Sequence, residues 1–303
     1  MPLSRIGARA TTRFRSRGPW VMALTMLNWR RFMSGGKRGS DRPALPAKPR
    51  ADRALEAALA RDEIEVRFQP QIEPLSGRIV GVEALARWDG AASPEALFAR
   101  AEAAGLAERL SRTIQRKALG MAGSWTGALA GLRLSVNILP RDLDRSGFEA
   151  WFLKEIAAAG LDPARVTAEI IESALLSDRP AVALRLARLR AQGVQIAVDD
   201  FGTGYANLAY LTSLPLDAIK IDRAMVAGLV GGSRDRIVVK AMIRLARELD
   251  LKVVVEGVET VGQLELLADW GCDLYQGFLG AGALDEDELT RFVMTSSAIA
   301  DAA

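Results

Sequence analysis

Five residues, Pro74-Leu75-Ser76-Gly77-Arg78, join two strand-like runs, 64–68 (IEVRF) and 79–85 (IVGVEAL). A parallel pair of strands needs a crossover of about a dozen residues or more. The two runs therefore pair antiparallel if they are neighbours. The rest of the chain behaves differently. Six more strand-like runs follow, at 132–138, 166–171, 194–199, 218–222, 252–257 and 274–277, with helical stretches between most of them.

The helices announce themselves at their ends. Ser93-Pro94 reads as an N-cap followed by proline at the first helical position. Thr260 with Gln263, and Asp285 with Glu288, have the spacing of capping boxes. Val182, Leu186 and Leu189 form an apolar stripe closed by Gly193. Ile237, Ala241, Leu245 and Leu249 predict a second stripe at i+4 spacing. No 20–50-residue repeat is visible, which excludes a solenoid. Eight strands with intervening helices in about 250 residues predict an α/β fold. The expected form is a modified (β/α)8 TIM-like barrel whose first strand runs antiparallel to its neighbour.

Charge divides the chain in two. Residues 1–50 hold 12 of the 40 basic residues but one of the 37 acidic ones, leaving 28 basic against 36 acidic in 51–303. The head is rich in Arg, Gly, Ser and Pro and reads as disordered. Its apolar run from Trp20 to Trp29 is too short to span a bilayer and has no small-residue cleavage site after it. An unstructured tail is the favoured reading of 1–50, and a basic membrane-surface anchor is the functional alternative. A barrel domain is expected over 52–296, with a disordered tail at 297–303. The acidic body argues against nucleic-acid binding.

The composition also excludes chemistries. The chain has no histidine, which removes Ser-His-Asp and Cys-His nucleophilic systems and histidine zinc sites. One cysteine, Cys272, allows no intrachain disulfide and suits a reducing compartment. Catalysis here must rest on carboxylates, amides, lysine or a hard metal ion.

Those residue types recur at one place in the pattern. Glu83, Asn137, Glu169, Asp199, Lys220, Glu256 and Gln276 each sit at or near the C-terminal end of an apolar run. In a (β/α)8 barrel those ends converge on the mouth where active sites form. Taken singly, each has a bland explanation as a turn former or solvated strand residue. Together they place several carboxylates in one pocket, where mutual repulsion calls for cations. A donor set of Glu, Asp and Asn without His or Cys selects Mg2+ or Mn2+. The adjacent pair Asp199-Asp200 suits two ions roughly 3.5–4 Å apart, an arrangement that serves in-line displacement at phosphorus.

The motifs FQPQI (68–72), VEALARW (82–88), SVNI (135–138), AEIIES (168–173), VDDFGTGYANLAYL (198–211), LPLDAIKIDR (214–223), VVEGVET (254–260) and QGF (276–278) occur in order. Over about residues 55–292 the chain resembles EAL domains, bacterial phosphodiesterases that hydrolyse cyclic di-GMP. The resemblance implies a first metal on Glu83, Asn137, Glu169 and Asp199. Asp199 would bridge to a second ion shared with Asp200 and Glu256. It implies Mg2+ or Mn2+ as cofactors, with Ca2+ inhibitory. Lys220 matches the lysine that holds or activates the attacking water, and Glu256 is the other candidate base. With Glu83 these are the expected catalytic residues. Arg87 matches a phosphate-gripping arginine, and Gln69, Leu85, Asp222 and Gln276 match positions near the substrate. Glu172 matches a glutamate supporting the DFGTG loop, through which a homodimer is expected to form. Linear pGpG is the expected product and the bacterial cytoplasm the expected location, with membrane association through the head as the alternative.

The chain also departs from the family pattern. Phe68 stands where relatives usually have Tyr, and Ile171 where they often have Thr. The segment after Trp88 is shorter. After Gln276 the sequence GFLGAGAL (277–284) has neither the usual basic residue nor proline. These changes bear on substrate affinity more than on metal chemistry. A degenerate EAL domain that binds cyclic di-GMP or a protein without turnover is therefore the alternative function.

Overall fold

The protein is described from a computed structural model, which covers residues 51–172, 179–202, 209–232 and 234–300. The basic head and residues 203–208, most of the GTGYANL stretch, lie outside these. A short helix α1 (Arg53–Ala60) precedes β1 (Glu65–Ile72) and β2 (Ile79–Arg87). Helices α2 (Pro94–Ala104) and α3 (Ala107–Ser124) lead to β3 (Arg133–Ile138), and α4 (Pro140–Asp144) and α5 (Phe148–Ala158) to β4 (Val166–Ile171). Then come α6 (Arg179–Ala191), β5 (Gln195–Phe201), α7 (Ala209–Ser213), β6 (Ala218–Ile221), α8 (Arg223–Val226) and α9 (Arg234–Glu248). β7 (Lys252–Val255), α10 (Val261–Trp270), β8 (Leu274–Tyr275) and α11 (Glu286–Ala300) complete the order.

The eight strands close into a barrel in sequence order. β1 is antiparallel to both β2 and β8, and every other neighbouring pair is parallel. The short turn enforces this: Glu73 and Arg78 form an ion pair across it, and the Glu73 N–H donates to the Arg78 carbonyl at 2.9 Å.

β1 runs four residues past its expected end, through Pro70. Proline cannot donate to a ladder and is tolerated where no partner waits for its N–H. The Phe68 N–H, two residues earlier, points away from β2 and reaches the Leu284 carbonyl at 2.7 Å. β8 touches β1 through a single pair, Ile72 with Tyr275. Pro70 falls in the gap between these two contacts.

Strand alternation sorts the side chains by chemistry. One parity is apolar and buried beneath the helices: Val82, Leu134, Val136, Ala168, Ile170, Ile196, Val198, Ile219, Ile221, Val253 and Val255. Each such Val, Leu or Ile side chain contributes about 1.5–3 kcal/mol on burial. The other parity faces the lumen, and register keeps it aligned between strands. Glu83 pairs with Ser135, Asn137 with Glu169, and Ala197 with Ala218.

The helix signals are realised at atomic detail. Ser93 Oγ accepts from the Ala96 N–H, and Pro94 begins α2. Both capping boxes close. Val182, Leu186 and Leu189 are buried. The α9 stripe is a correction. Ile237 and Ala241 are exposed, while Leu245 and Leu249 pack half-buried against the core beside the fully buried Val239, Ile243 and Ala246. This helix carries apolar residues over a wide arc, and the barrel fixes which part is covered. α11 continues to Ala300, beyond the expected boundary at 296. The Thr295 and Ser296 hydroxyls donate back to the Arg291 and Phe292 carbonyls and stay within the helix. Residues 301–303 lie outside the description. Among the described residues no helix is long and apolar enough to cross a membrane.

Candidate active site

Lys220, on the lumen parity of β6, is fully buried. Its Nζ lies 2.7 Å from Glu256, 2.8 Å from Glu169, 3.2 Å from Glu83 and 3.3 Å from Asp199. Four carboxylates from β2, β4, β5 and the end of β7 thus surround one ammonium. Burial works against the lysine's charge, but Asp199, Glu169, Glu256 and Glu83 outweigh it and hold the ammonium well above its usual pKa. One positive charge cannot balance four negative ones.

The imbalance appears in the carboxyls. Glu83 receives the Lys220 charge and hydrogen bonds from Gln276 Nε2 at 2.7 Å and Asn137 Nδ2 at 2.9 Å. Burial works to raise its pKa, yet these partners keep it below the usual carboxylate value. The other three go the opposite way. Burial, with Glu83 and Asp199 nearby and despite Lys220, pushes Glu169 up to about 8. Burial also raises Asp199, and raises Glu256 well above the ordinary range.

Adjacent strand residues ordinarily face opposite sides, so Asp200 should turn away from Asp199. A bulge alters this. β5 pairs Val198 with Ile219 and Phe201 with Ile221, which inserts one extra residue. Asp200 takes φ 57° there, in the left-handed region, and its N–H donates to Asp199 Oδ1 at 3.0 Å. Asp200 is exposed as a residue, but desolvation of its carboxyl by the surrounding mouth, then the charges of Asp199 and Asp222, push it up to about 6. Both aspartates therefore belong to the same mouth.

Glu83, Glu169 and Asp199 each offer one oxygen within 4.8 Å of the others. Oxygens of that spacing can ring a single hard cation at about 2.0–2.6 Å. The all-carboxylate donor set and the surplus negative charge both fit such an ion. Of the other expected carboxylate ligands, Asp200 and Glu256 lie outside this triad. Asn137 Nδ2 donates to Glu83, and Glu256 joins through Lys220 and through Gln276 Nε2 at 3.2 Å.

The remaining expected residues are placed as follows. Leu85 and Arg87 follow Glu83 on the same face of β2, both half-buried. Arg87 donates to the Ala86 carbonyl at 2.8 Å, and burial followed by the Arg67 charge lowers its pKa. Gln69, opposite Glu83, donates to the Ala281 carbonyl at 3.2 Å and so touches the loop after β8. The Asp222 side chain caps α8 by accepting from the Ala224 N–H at 2.8 Å. Glu172 is buried beside the Gly202 N–H and the Tyr210 hydroxyl. Burial raises its pKa, and those two groups pull it back. Both of its oxygens nevertheless lack a hydrogen bond of good geometry among the described residues. The loop it was expected to support lies largely outside them.

The sequence reading missed Gln71. It is buried on the lumen face of β1, with Nε2 3.3 Å from Gln276 Oε1, 3.4 Å from Ser135 Oγ and 3.5 Å from Glu169 Oε1. Its two-residue spacing from Gln69 was the available signal.

A family model for the EAL domain matches residues 52–283. The chain belongs to the EAL domain family. Among its curated relatives, a cyclic di-GMP phosphodiesterase of Pseudomonas aeruginosa is 36% identical over 241 residues, covering 78% of this chain and 41% of the relative. The solved phosphodiesterase PaMucR in complex with c-di-GMP superposes with a TM-score of 0.74 at 33% identity, covering 78% of this chain and 98% of that one. Klebsiella pneumoniae BlrP1, solved with manganese and cyclic di-GMP, gives a TM-score of 0.65 at 30% identity, covering 79% and 57%. The same protein has been solved with calcium and cyclic di-GMP. The chain spans about a third to two fifths of the length of the first curated relatives it matches. The EAL barrel and its carboxylate-lined mouth account for this matched part.

Proposed function

We propose that this EAL domain is a metal-dependent phosphodiesterase that hydrolyses cyclic di-GMP to linear pGpG. The observation that carries the reading is the buried Lys220 ammonium held by four carboxylates, three of which form the oxygen triad. Glu83, Asn137, Glu169 and Asp199 would hold one ion, and Asp199, Asp200 and Glu256 a second. Mg2+ or Mn2+ suits these oxygens, with Ca2+ supporting binding but not cleavage. When bound, such ions supply an activated water and neutralise charge at phosphorus.

The chain's own groups would do the rest. Lys220 donates towards the attacking oxygen and stabilises its developing charge. Glu256, 2.7 Å from that ammonium, is the other candidate for the general base. Asn137 and Gln276 fix both oxygens of Glu83, which preorganises the floor of the site. Arg87, Gln69, Leu85 and Asp222 line the approach and would bind the nucleotide. Glu172 supporting the DFGTG loop, a homodimer through that loop and a cytoplasmic location belong to the same reading, with a membrane-surface contact by residues 1–50 as the alternative to an unstructured tail.

Purified protein incubated with cyclic di-GMP and Mn2+, followed by chromatography, tests the proposal. Linear pGpG should accumulate, and Glu83→Ala should abolish it. Tight binding with no pGpG from the unsubstituted protein would overturn turnover in favour of a binding role.

A further inference from the structure

On the β1–β2 wall, β1 contributes one basic residue, Arg67, and β2 contributes one, Arg87. Arg67 shares the lumen parity of Gln69 and Gln71 and lies opposite Leu85 in the antiparallel register. β1 runs backwards relative to the other strands, so its N-terminal half reaches the mouth. Arg67 therefore stands at the same height as the C-terminal end of β2.

Its bonding is unlike that of the chain's structural arginines. Arg116 grips Glu155 through two bonds of 2.9 and 2.8 Å, and Arg100 grips Asp52 through bonds of 2.8 and 2.9 Å. Arg67 instead makes two loose ion pairs, with Glu65 at 3.6 Å and Glu288 at 3.7 Å, neither short enough for a hydrogen bond. Among the described residues its guanidinium makes no hydrogen bond. Glu288 is already engaged, since its Oε2 closes the α11 capping box on the Asp285 N–H at 3.0 Å. Arg67 thus keeps a planar fork of donors at the mouth, and its charge is felt by Arg87.

The surroundings need that charge. The loop at 277–284, tied to β1 through Phe68 and Leu284, carries no charged residue. The mouth holds Glu83, Glu169, Asp199, Asp200, Asp222 and Glu256 against Lys220 and Arg87. A ligand with two phosphodiesters brings two more negative charges, and one arginine can grip one of them bidentately.

We propose that Arg67 is a substrate-binding residue, the second arginine of the mouth, which pairs with the phosphodiester that Arg87 does not hold. The inference rests on the cyclic di-nucleotide reading of the site. It makes Arg67 a determinant of affinity for a two-phosphate cyclic ligand, outside the hydrolytic machinery.

The test measures cyclic di-GMP affinity by calorimetry in Ca2+ and steady-state turnover in Mn2+, using the full chain. A hydrogen-bonded charge contact contributes about 1.5–3 kcal/mol, so Arg67→Ala should weaken binding about tenfold or more. KM should rise in parallel while kcat stays within about twofold. Arg67→Lys should recover part of the loss. Glu288→Gln keeps the cap and removes the distant acid, so its affinity should match the unsubstituted protein. Thermal melting of each variant reports folding. An Arg67→Ala protein with unchanged Kd and KM but a lower Tm makes Arg67 a strut for α11 and overturns the inference. So does a Glu288→Gln protein that reproduces the Arg67→Ala loss. If the unsubstituted protein neither binds nor cleaves cyclic di-GMP, the phosphodiesterase reading itself fails, and this inference with it.

Discussion

Lys220 Nζ and Glu169 Oε2 lie 2.8 Å apart with both side chains sealed from solvent. The pair carries more than its own two charges, because the same ammonium also faces Glu83, Asp199 and Glu256. Removing one partner of a buried ion pair typically costs about 3–5 kcal/mol. Lys220→Met should therefore melt well below the unsubstituted protein in the presence of a chelator. It should also lose turnover. Added Mn2+ should recover much of the melting temperature and none of the activity. Equal melting temperatures in chelator would show that the lysine does not neutralise the cluster.

The same cluster sets a pH dependence for the cation-free protein. Glu169 is pushed up to about 8 and Asp200 up to about 6, each from ordinary carboxylate values. A carboxyl with a raised pKa in the fold binds its proton more tightly there than in the unfolded chain. Its stabilising contribution is complete below the unfolded pKa of about 4 and is lost as pH rises through the folded value. The melting temperature in chelator should therefore fall between about pH 5 and pH 8.5. Mn2+ should raise it most at the alkaline end, where the carboxylates are free of protons. A flat profile in chelator would contradict the burial argument.

Asp200 separates backbone from carboxylate. A non-glycine residue at φ 57° is strained by about 1 kcal/mol, and Asn and Gly tolerate the position best. Asp200→Gly should leave stability unchanged or slightly raised while cutting turnover by at least tenfold. Asp200→Asn should fold normally with a similar loss. Full activity in either variant would remove Asp200 from the site.

Two glycines distinguish a yielding neighbour from an unyielding one. A Cβ at Gly277 would lie 2.3 Å from the Val258 carbonyl oxygen and 2.4 Å from its nitrogen, both backbone atoms. At Gly202 it would lie 2.5 Å from Met242 Cε, the end of a flexible side chain, though φ is 96°. Gly277→Ala should therefore destabilise by more than about 2 kcal/mol and displace the neighbouring Gln276, whereas Gly202→Ala should cost less. Denaturant melts of the two variants order them. The reverse order would show that the strand-8 end gives way more readily than its contacts suggest.

Much of this molecule was legible before any coordinates. The five-residue turn dictated the antiparallel β1, and the polar residues ending each apolar run marked the mouth, because alternation and barrel geometry are local rules. What escaped depended on pairing between distant segments. The first run was expected to end at Phe68, and the thin β1–β8 contact explains why the strand continues through Pro70. The buried face of α9 is selected by the barrel from a broad apolar arc. The bulge that brings Asp200 beside Asp199 has no signature beyond two adjacent aspartates. Gln71 lay beyond the expected end of the first strand, so that run did not place it on the lumen face.

Gln71 yields the last prediction. A buried amide must direct its donors and acceptor correctly or leave one unsatisfied. Gln71 donates towards Gln276 Oε1, which leaves Gln276 Nε2 to donate to Glu83 and Glu256. Those bonds help hold Glu83 ionised. Gln71→Leu removes the donor, so the Gln276 amide is free to turn and withdraw its hydrogens from the carboxylates. Its distances of 3.3–3.5 Å are long, so the cost in stability should be small, about 1 kcal/mol or less. Turnover should nevertheless fall several-fold, with kcat affected more than KM, because the floor of the site rather than its rim is disturbed. The acid limb of the pH–rate profile should also move upward, as Glu83 becomes easier to protonate. Gln71→Glu should do worse, since a carboxylate adds charge to the cluster and cannot donate. If Gln71→Leu changes neither kcat nor the pH–rate profile, Gln276 is oriented by its carboxylate partners alone.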